Sequence, residues 1–108
     1  MDEPGIASLD NRDERDVWRF RLYVAGQSPK SLLAIANLKR LCEEHLVGRY
    51  EIETIDLVEH PARARDDDII AIPTLVRRLP IPQRKIIGDL SNTNRVLVGL
   101  RLYVGSAI

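Results

Sequence analysis

The sequence predicts a single α/β domain with a mixed sheet, built in the order strand, helix, strand, helix, strand, strand, helix. Residues 18–24 alternate strictly between two faces, apolar residues between positions 29 and 46 recur at helical spacing, and two later β-rich segments are separated by prolines. A chain of 108 residues with 44% hydrophobic content is long enough to bury one modest core.

The first strand and the helix after it have the clearest patterns. Trp18, Phe20, Leu22 and Val24 share one strand face, and Arg19, Arg21 and Tyr23 share the other. Ser28 is expected to be the helix N-cap, because Pro29 fits the first helical position without losing a hydrogen bond. The helix should continue to about His45 with an apolar stripe of Leu32, Ile35, Leu38, Leu41, Cys42 and Leu46.

Residues 50–57 predict a second strand, parallel to the first because a helix separates them. A short helix follows through Ala62, Ala64 and Asp67, and the acidic run 66–68 is interpreted as its solvated end or as a contact patch. A third strand is expected from Ile72 and a fourth over residues 85–88. Pro80 and Pro82 stiffen the turn between these two strands, which are therefore antiparallel.

Residues 91–104 fit two conformations almost equally well. Ser91 would cap a helix, whereas the alternation of residues 96–104 fits a strand, and Gly99 weakens both by roughly 0.5 to 1 kcal/mol. Two such close conformations permit fold switching. The residues alone favour an ordinary terminal helix, because fold switching is rare.

Composition excludes several classes of function. Residues 1–16 carry six acids and two arginines with few large apolar side chains, and they predict a disordered arm preceding a domain of residues 17–108, or alternatively an acidic docking tail. The chain has no long apolar run and no basic stripe, so we expect a cytoplasmic protein that binds neither membrane nor nucleic acid. Cys42 is the only cysteine, and His45 and His60 lack ligand partners at a familiar spacing, so we expect no disulfide, metal or cofactor.

The element order, with Ile72-Pro73-Thr74 opening the third strand, resembles the thioredoxin fold, in which a proline at this place is typically cis. The resemblance implies a cis bond before Pro73. Oxidoreductases of this fold place a cysteine where this chain has Ser28, at a helix N-terminus that would activate a thiol. Ser28 is interpreted as a cap and Cys42 as a buried hydrophobic residue. No catalytic residue is therefore predicted, and a redox sensor at Cys42 is the less favoured alternative.

Six short blocks carry a more specific resemblance, in order: LYVAG at 22–26, Ser28-Pro29 with Ser31, IDL at 55–57, His60-Pro61, IPTL at 72–75 and RKIIGDLSN at 84–92. On these blocks the chain is identified as a member of the KaiB family of circadian-clock proteins. The match extends over about residues 18–104.

The resemblance implies a non-enzymatic partner of the hexameric ATPase KaiC, which binds the N-terminal ATPase ring and modulates the phosphorylation and ATPase cycle. It also implies two folds: a self-associated dimer or tetramer with residues 96–104 as a strand, and a monomeric thioredoxin-like form that binds KaiC. A KaiB-like adaptor in stress signalling with another partner is the alternative.

Two sets of residues follow from this resemblance. The fold-switch segment contains Gly99 and Arg101, and Arg101 stands where cyanobacterial relatives carry an acid. Because a cation late in a helix interacts favourably with the dipole, we predict that the thioredoxin-like state is more populated here. The expected partner-binding residues are Gln27, Lys30, Asp68, Ile69 and Ile72. The two isoleucines could instead belong to the core.

Overall fold

The computed structural model describes residues 17–102 and has the predicted α/β architecture. The predicted arm of residues 1–16 and residues 103–108 lie outside the described part. The elements are β1 (Trp18–Val24), α1 (Pro29–His45), β2 (Tyr50–Asp56), a 3₁₀ helix (Pro61–Asp67), β3 (Thr74–Leu79), β4 (Arg84–Ile87) and α2 (Thr93–Leu100).

The four strands form one sheet in the order β2-β1-β3-β4. β1 runs parallel to β2 and antiparallel to β3, which pairs antiparallel with β4. The predicted mixed sheet is confirmed. β3 begins at Thr74, two residues later than expected, because Pro73 has no N–H to give to a ladder. The Ile72–Pro73 peptide bond is cis.

One face of the sheet packs on α1 and α2. Phe20, Leu22 and Val24 of β1 are buried there. Ser28 caps α1 as predicted, its Oγ accepting a hydrogen bond from the Ser31 N–H. The expected apolar stripe is wrong at Leu32, whose side chain is half exposed. The buried face of the first turns instead contains Ser31 and Ala34, which are small enough to let the helix approach the sheet closely.

The last helix differs from the sequence prediction at both ends. Asn92 rather than Ser91 is the N-cap, accepting from the Arg95 N–H. The helix ends at Leu100, and Arg101 is a C-cap residue in the left-handed conformation with φ 58°. The expectation that Arg101 lies inside a helix is therefore wrong, because this left-handed residue follows the last helical residue.

Gly99 marks a close approach between α2 and β4. A Cβ at this position would meet Ile86 Cδ1 at 3.0 Å. Gly99 therefore has a packing role in this fold, since a side chain there would require the Ile86 side chain to shift by a few tenths of an ångström.

The opposite face of the sheet is covered at one end by the 3₁₀ helix, and Asp67 attaches this helix to the strands. The carboxylate accepts hydrogen bonds from Tyr23 Oη at 2.6 Å, Arg78 Nη1 at 2.9 Å and Arg21 Nη1 at 3.3 Å. Asp67 is only 6% exposed, so the interpretation of the acidic run as a solvated helix end is wrong at this residue. Asp66 and Asp68 on either side are exposed.

The ionisation of this cluster follows from its contacts. Burial alone raises the pKa of Asp67, but the Tyr23 hydrogen bond and the charges of Arg78 and Arg21 outweigh it, so the pKa lies below its usual value. Burial, and then the hydrogen bond to Asp67, raise the pKa of Tyr23 to about 12. Asp67 is therefore an anion and Tyr23 a neutral donor at neutral pH.

Replacing Asp67 by Asn should lower the free energy of unfolding by about 2 kcal/mol, because three donors lose a charged acceptor. A carboxylate with a lowered folded pKa contributes stability above its unfolded pKa of about 3.9 and loses it as pH falls through the folded value. Denaturant unfolding from pH 7 down to pH 2 should therefore show a shallower acid dependence in Asp67→Asn than in the parent chain.

Asp66→Asn is the matched control, since Asp66 is exposed in the same acidic run, pairs closely with Arg63 at 2.6 Å and lies 3.9 Å from Arg21. It should change the free energy of unfolding by no more than about 0.5 kcal/mol. Equal losses in the two variants would show that the buried network does not set the stability of this segment.

Candidate partner-binding surface

All loops that carry the predicted binding residues meet at one edge of the sheet. The register pairs Val24 with Asp56, Tyr23 with Thr74, and Thr74 with Ile87. The carboxyl ends of β1, β2 and β4 and the start of β3 therefore lie side by side. We call this the loop edge, formed by residues 25–30, 57–60, 68–73 and 88–92.

Asp56 fixes the first two loops relative to each other. Its Oδ1 accepts hydrogen bonds from the backbone N–H of Gly26 and of Val58, both at 2.9 Å. These backbone hydrogen bonds hold the pKa of the Asp56 carboxyl below its ordinary value. Gly26 has φ 55°, a conformation that favours glycine. The loop thus has a defined shape and presents Gln27 to solvent.

Two serines occupy the start of α1 at the spacing of a Cys-x-x-Cys motif. Ser28 Oγ donates to Ser31 Oγ at 2.8 Å, and the buried Ser31 hydroxyl also accepts from the Ala25 N–H at 3.0 Å. Neither hydroxyl bonds to a histidine or a carboxylate among residues 17–102, so no base activates them there. Ser28 was predicted as the cap, whereas Ser31 was given no structural role, although the i, i+3 serine pair is a usable signal.

Cys42 lies on the buried face of α1 with 1% of its surface exposed. Burial, with a smaller effect from Glu43, raises the pKa of its thiol to about 12. A thiolate nucleophile is therefore disfavoured at this position. No group of three histidine, cysteine or acidic side chains in the described part of the chain is placed to hold a metal ion. None of the described helices has the length and apolar character needed to span a membrane.

The segment after the 3₁₀ helix forms the apolar part of the loop edge. Ile69 is half buried and packs against the cluster of Tyr23, Ile55 and Val76. Ile70 points outward with 92% of its surface exposed, and Ile72 is 41% exposed. They border an open groove of about 350 Å³ lined by Leu57, Pro61, Ala64, Ile69, Ile70, Ala71 and Ile72.

The structure brings the five expected binding residues to this one edge. Gln27, Lys30 and Asp68 are exposed, Ile72 is partly exposed, and Ile69 is mainly a support. Lys30 lies near Asp89, whose pKa is lowered by hydrogen bonds from Ser91 and further by the Lys30 charge. Their role in binding stays a prediction.

Two exposed apolar residues of the loop edge were missed by the sequence analysis. They are Ile70 and Val58. The Val58 side chain lies 3.9 Å from the point where a Cβ on Gly26 would be. The adjacent isoleucines at 69 and 70 were a signal, since neighbours in an extended segment face opposite sides.

The fold and this edge define a thioredoxin-like α/β domain in which serines stand where a redox pair would be. The N-terminal domain of SasA from Synechococcus elongatus is similar, with a TM-score of 0.65 at 17% identity, covering 82% of this chain and 87% of that domain. Mitochondrial thioredoxin 3 from Saccharomyces cerevisiae is similar with a TM-score of 0.63 at 18% identity, covering 89% of this chain and 88% of the thioredoxin. Identities this low show the fold alone.

The particular family follows from the sequence comparisons. The KaiB domain model matches residues 21–102. The chain is 50% identical to the circadian clock protein KaiB3 of Synechocystis sp. over 75% of its length and 79% of the relative. It is 44% identical to the circadian clock oscillator protein KaiB of Synechococcus sp. over 84% of its length and 89% of the relative. The chain therefore belongs to the KaiB family of circadian clock proteins.

The environment of Cys42 predicts slow thiol chemistry. Below about pH 10 the folded chain should react with a disulfide reagent on the order of a hundredfold more slowly than the chain unfolded in guanidinium, because both access and thiolate are lacking. The rate of absorbance change on mixing with the reagent at pH 8 measures this. Comparable rates in the folded and unfolded chain would revive the redox-sensor hypothesis.

Proposed function

We propose that this chain is a non-catalytic regulator that binds the N-terminal ATPase ring of a KaiC-like hexameric ATPase and modulates its phosphorylation and ATPase cycle. Family membership supports a role in a clock system. The observation that carries the proposed mode of action is the loop edge, where exposed isoleucines border a groove beside exposed polar and charged residues.

The apolar part of the loop edge would supply the affinity. Ile70 is almost fully solvated, and transferring such a side chain from water into an interface contributes roughly 1.5 to 3 kcal/mol. Exposed apolar surface rimmed by polar residues is typical of interaction sites. The Asp67 network attaches the 3₁₀ helix to the sheet. The groove should therefore lose little conformational entropy when the partner binds.

The charged residues of the loop edge would supply orientation. Lys30 on one side of the edge and Asp68 on the other are exposed and of opposite sign. Charges at the rim of an interface affect association rate and specificity more than affinity. We therefore expect the partner surface to carry a complementary arrangement of an acid and a base around an apolar pocket.

Ile70→Asp should weaken binding to a KaiC homologue from the same source by tenfold or more, on the order of 1.4 kcal/mol or above, because the variant places a charge in the groove. Fluorescence anisotropy of labelled chain, with ATP or ADP present, measures the affinity. Val47→Asp is the matched control: Val47 is a comparably exposed β-branched residue in the loop after α1, with 68% exposure against 92% for Ile70.

Equal affinity of the two variants would place the interface elsewhere on the chain. Failure of the parent chain to bind a KaiC homologue under any nucleotide or phosphorylation state would overturn the proposed partner. Capture of a stress-signalling partner by the parent chain but not by Ile70→Asp would then support the adaptor alternative.

We further propose that the free chain self-associates as a dimer or tetramer through a second fold in which residues 96–104 form a strand. The support is that α2 has features of a helix of low stability. It has only eight residues, it contains Gly99, and the side chain of Val98 is 71% exposed. Isolated short helices depend on packing and caps for their stability.

Removing the α2 cap tests this second fold. Asn92→Ala costs about 1 kcal/mol of helix stability and should raise the population of the strand state by about fivefold. Backbone chemical shifts of residues 96–100 and sedimentation velocity report the two states. Asn94→Ala is the control, since Asn94 lies within α2 and the cap is Asn92.

A parent chain with helical shifts at residues 93–100 agrees with the predicted preference for the thioredoxin-like state. Mainly strand-like shifts in the free parent chain would refute that preference. An Asn92→Ala variant that merely unfolds α2, with no strand signals and no larger species, would refute the second fold.

A further inference from the structure

The edge of the sheet opposite the loop edge holds a buried arginine that has no carboxylate partner among residues 17–102. Arg77 is 3% exposed, and its guanidinium carbon lies 5.3 Å from the ring centroid of Trp18. Its Nη1 donates to the carbonyl of Leu100 and its Nη2 to the carbonyl of Pro82 at 2.6 Å. Its Nε has no hydrogen-bond partner in the described part of the chain. Carbonyl groups thus solvate this cation without neutralising it.

Two further arginines surround Arg77. Arg84 is its direct partner in the β3–β4 register, and like charges opposite each other destabilise a sheet. Arg101 follows Leu100, whose carbonyl accepts from Arg77. Burial, and then the charges of Arg84 and Arg101, lower the pKa of Arg77, as expected for crowded cations. The Nε of Arg84 is also buried, and no described residue forms a hydrogen bond with it. We call these three residues the arginine cluster.

No acid of residues 17–102 forms an ion pair with the arginine cluster. The ion pairs in this part of the chain involve other bases: Arg19, Arg21, Arg40, His45, Arg63 and Arg78. An uncompensated buried charge costs several kcal/mol, and an oxyanion with several acceptor atoms would relieve it. The arginine cluster therefore has the chemistry of a carboxylate or phosphate acceptor.

The acidic part of the chain begins beside this cluster. Trp18 is the first residue of β1, and its ring is the group that Arg77 faces. Asp16, Glu14 and Asp13 precede it by two to five residues. At about 3.3 Å per extended residue, their backbones come within roughly 7 to 17 Å of Trp18, so their carboxylates can reach the cluster.

We propose that carboxylates of residues 13–16 bind the arginine cluster of the same chain. The acidic segment supplies the opposite charge that Arg77, Arg84 and Arg101 lack within residues 17–102. This binding closes a local contact between the start of β1 and the end of α2. It does not depend on the proposed clock partner, because it lies at the edge away from the groove.

The test uses the full chain with three proximal acids neutralised: Asp13→Asn, Glu14→Gln and Asp16→Asn. The control neutralises three distal acids: Asp2→Asn, Glu3→Gln and Asp10→Asn. The side-chain Nε–Hε signals of the arginines and the indole signal of Trp18, the only tryptophan, are followed by NMR. The proximal variant should shift the signals of Arg84, Arg101 and Trp18, and the distal variant should leave them in place.

Titration with inorganic pyrophosphate gives a second, independent measurement. If the acidic segment occupies the cluster three quarters of the time, neutralising it should tighten pyrophosphate binding about fourfold, since the open fraction rises from a quarter to one. Adding Arg101→Gln to the proximal variant should weaken pyrophosphate binding again, because it removes one of the three cations.

Unchanged arginine signals together with equal pyrophosphate affinity in both triple variants would overturn the proposal. Signal shifts that grow with protein concentration and accompany a heavier species in sedimentation would also overturn it, because a second copy would then supply the carboxylates. Concentration-independent shifts with tighter pyrophosphate binding in the proximal variant alone are the expected result.

Discussion

The buried carboxylate of Asp67 is the constraint on which the loop edge depends. It joins the 3₁₀ helix to Tyr23 and Arg21 of β1 and to Arg78 of β3. Without this attachment, the 3₁₀ helix would be held on its face of the sheet only by a small apolar contact. The residues that follow, 68–72, take their position from this anchor, and so does the groove that Ile70 and Ile72 border.

The two faces of the sheet are thus stabilised by different forces. α1 and α2 cover one face with aliphatic packing, in which Leu22, Leu38 and Leu75 are almost fully buried. The other face relies on one ion cluster and a small group around Tyr23. Hydrophobic packing tolerates small rearrangements, whereas a buried charge with three donors requires a defined geometry. The orientation of the proposed binding surface is therefore set mainly by polar contacts.

The sequence predicted well those features that local periodicity determines. The bounds of β1 and α1 and the Ser28 cap follow from neighbouring residues, and the structure agrees. The burial of Asp67 was not predictable in this way, because its partners Tyr23 and Arg21 are 44 and 46 positions away. The predicted start of β3 was wrong because Pro73 cannot donate to the sheet, and the predicted end of α2 was wrong because Arg101 is left-handed.

The candidate surface was predictable only in part. Gln27, Lys30, Asp68 and Ile72 were named from the family resemblance, and the topology places them at one edge. The exposure of Ile70 was not predicted, because it depends on the backbone path that follows the 3₁₀ helix. The contacts of Asp67 set that path. The partner itself came from the resemblance rather than from any residue pattern.

The length of β1 determines how far apart the two proposed binding regions, the arginine cluster and the loop edge, lie. Its seven residues run from Trp18, beside the arginine cluster, to Val24, next to the loop edge. At about 3.3 Å per residue the strand spans roughly 20 Å. A protein seated on the groove would thus leave the arginine end uncovered. One central strand, hydrogen-bonded on both sides, would be the direct mechanical connection between them.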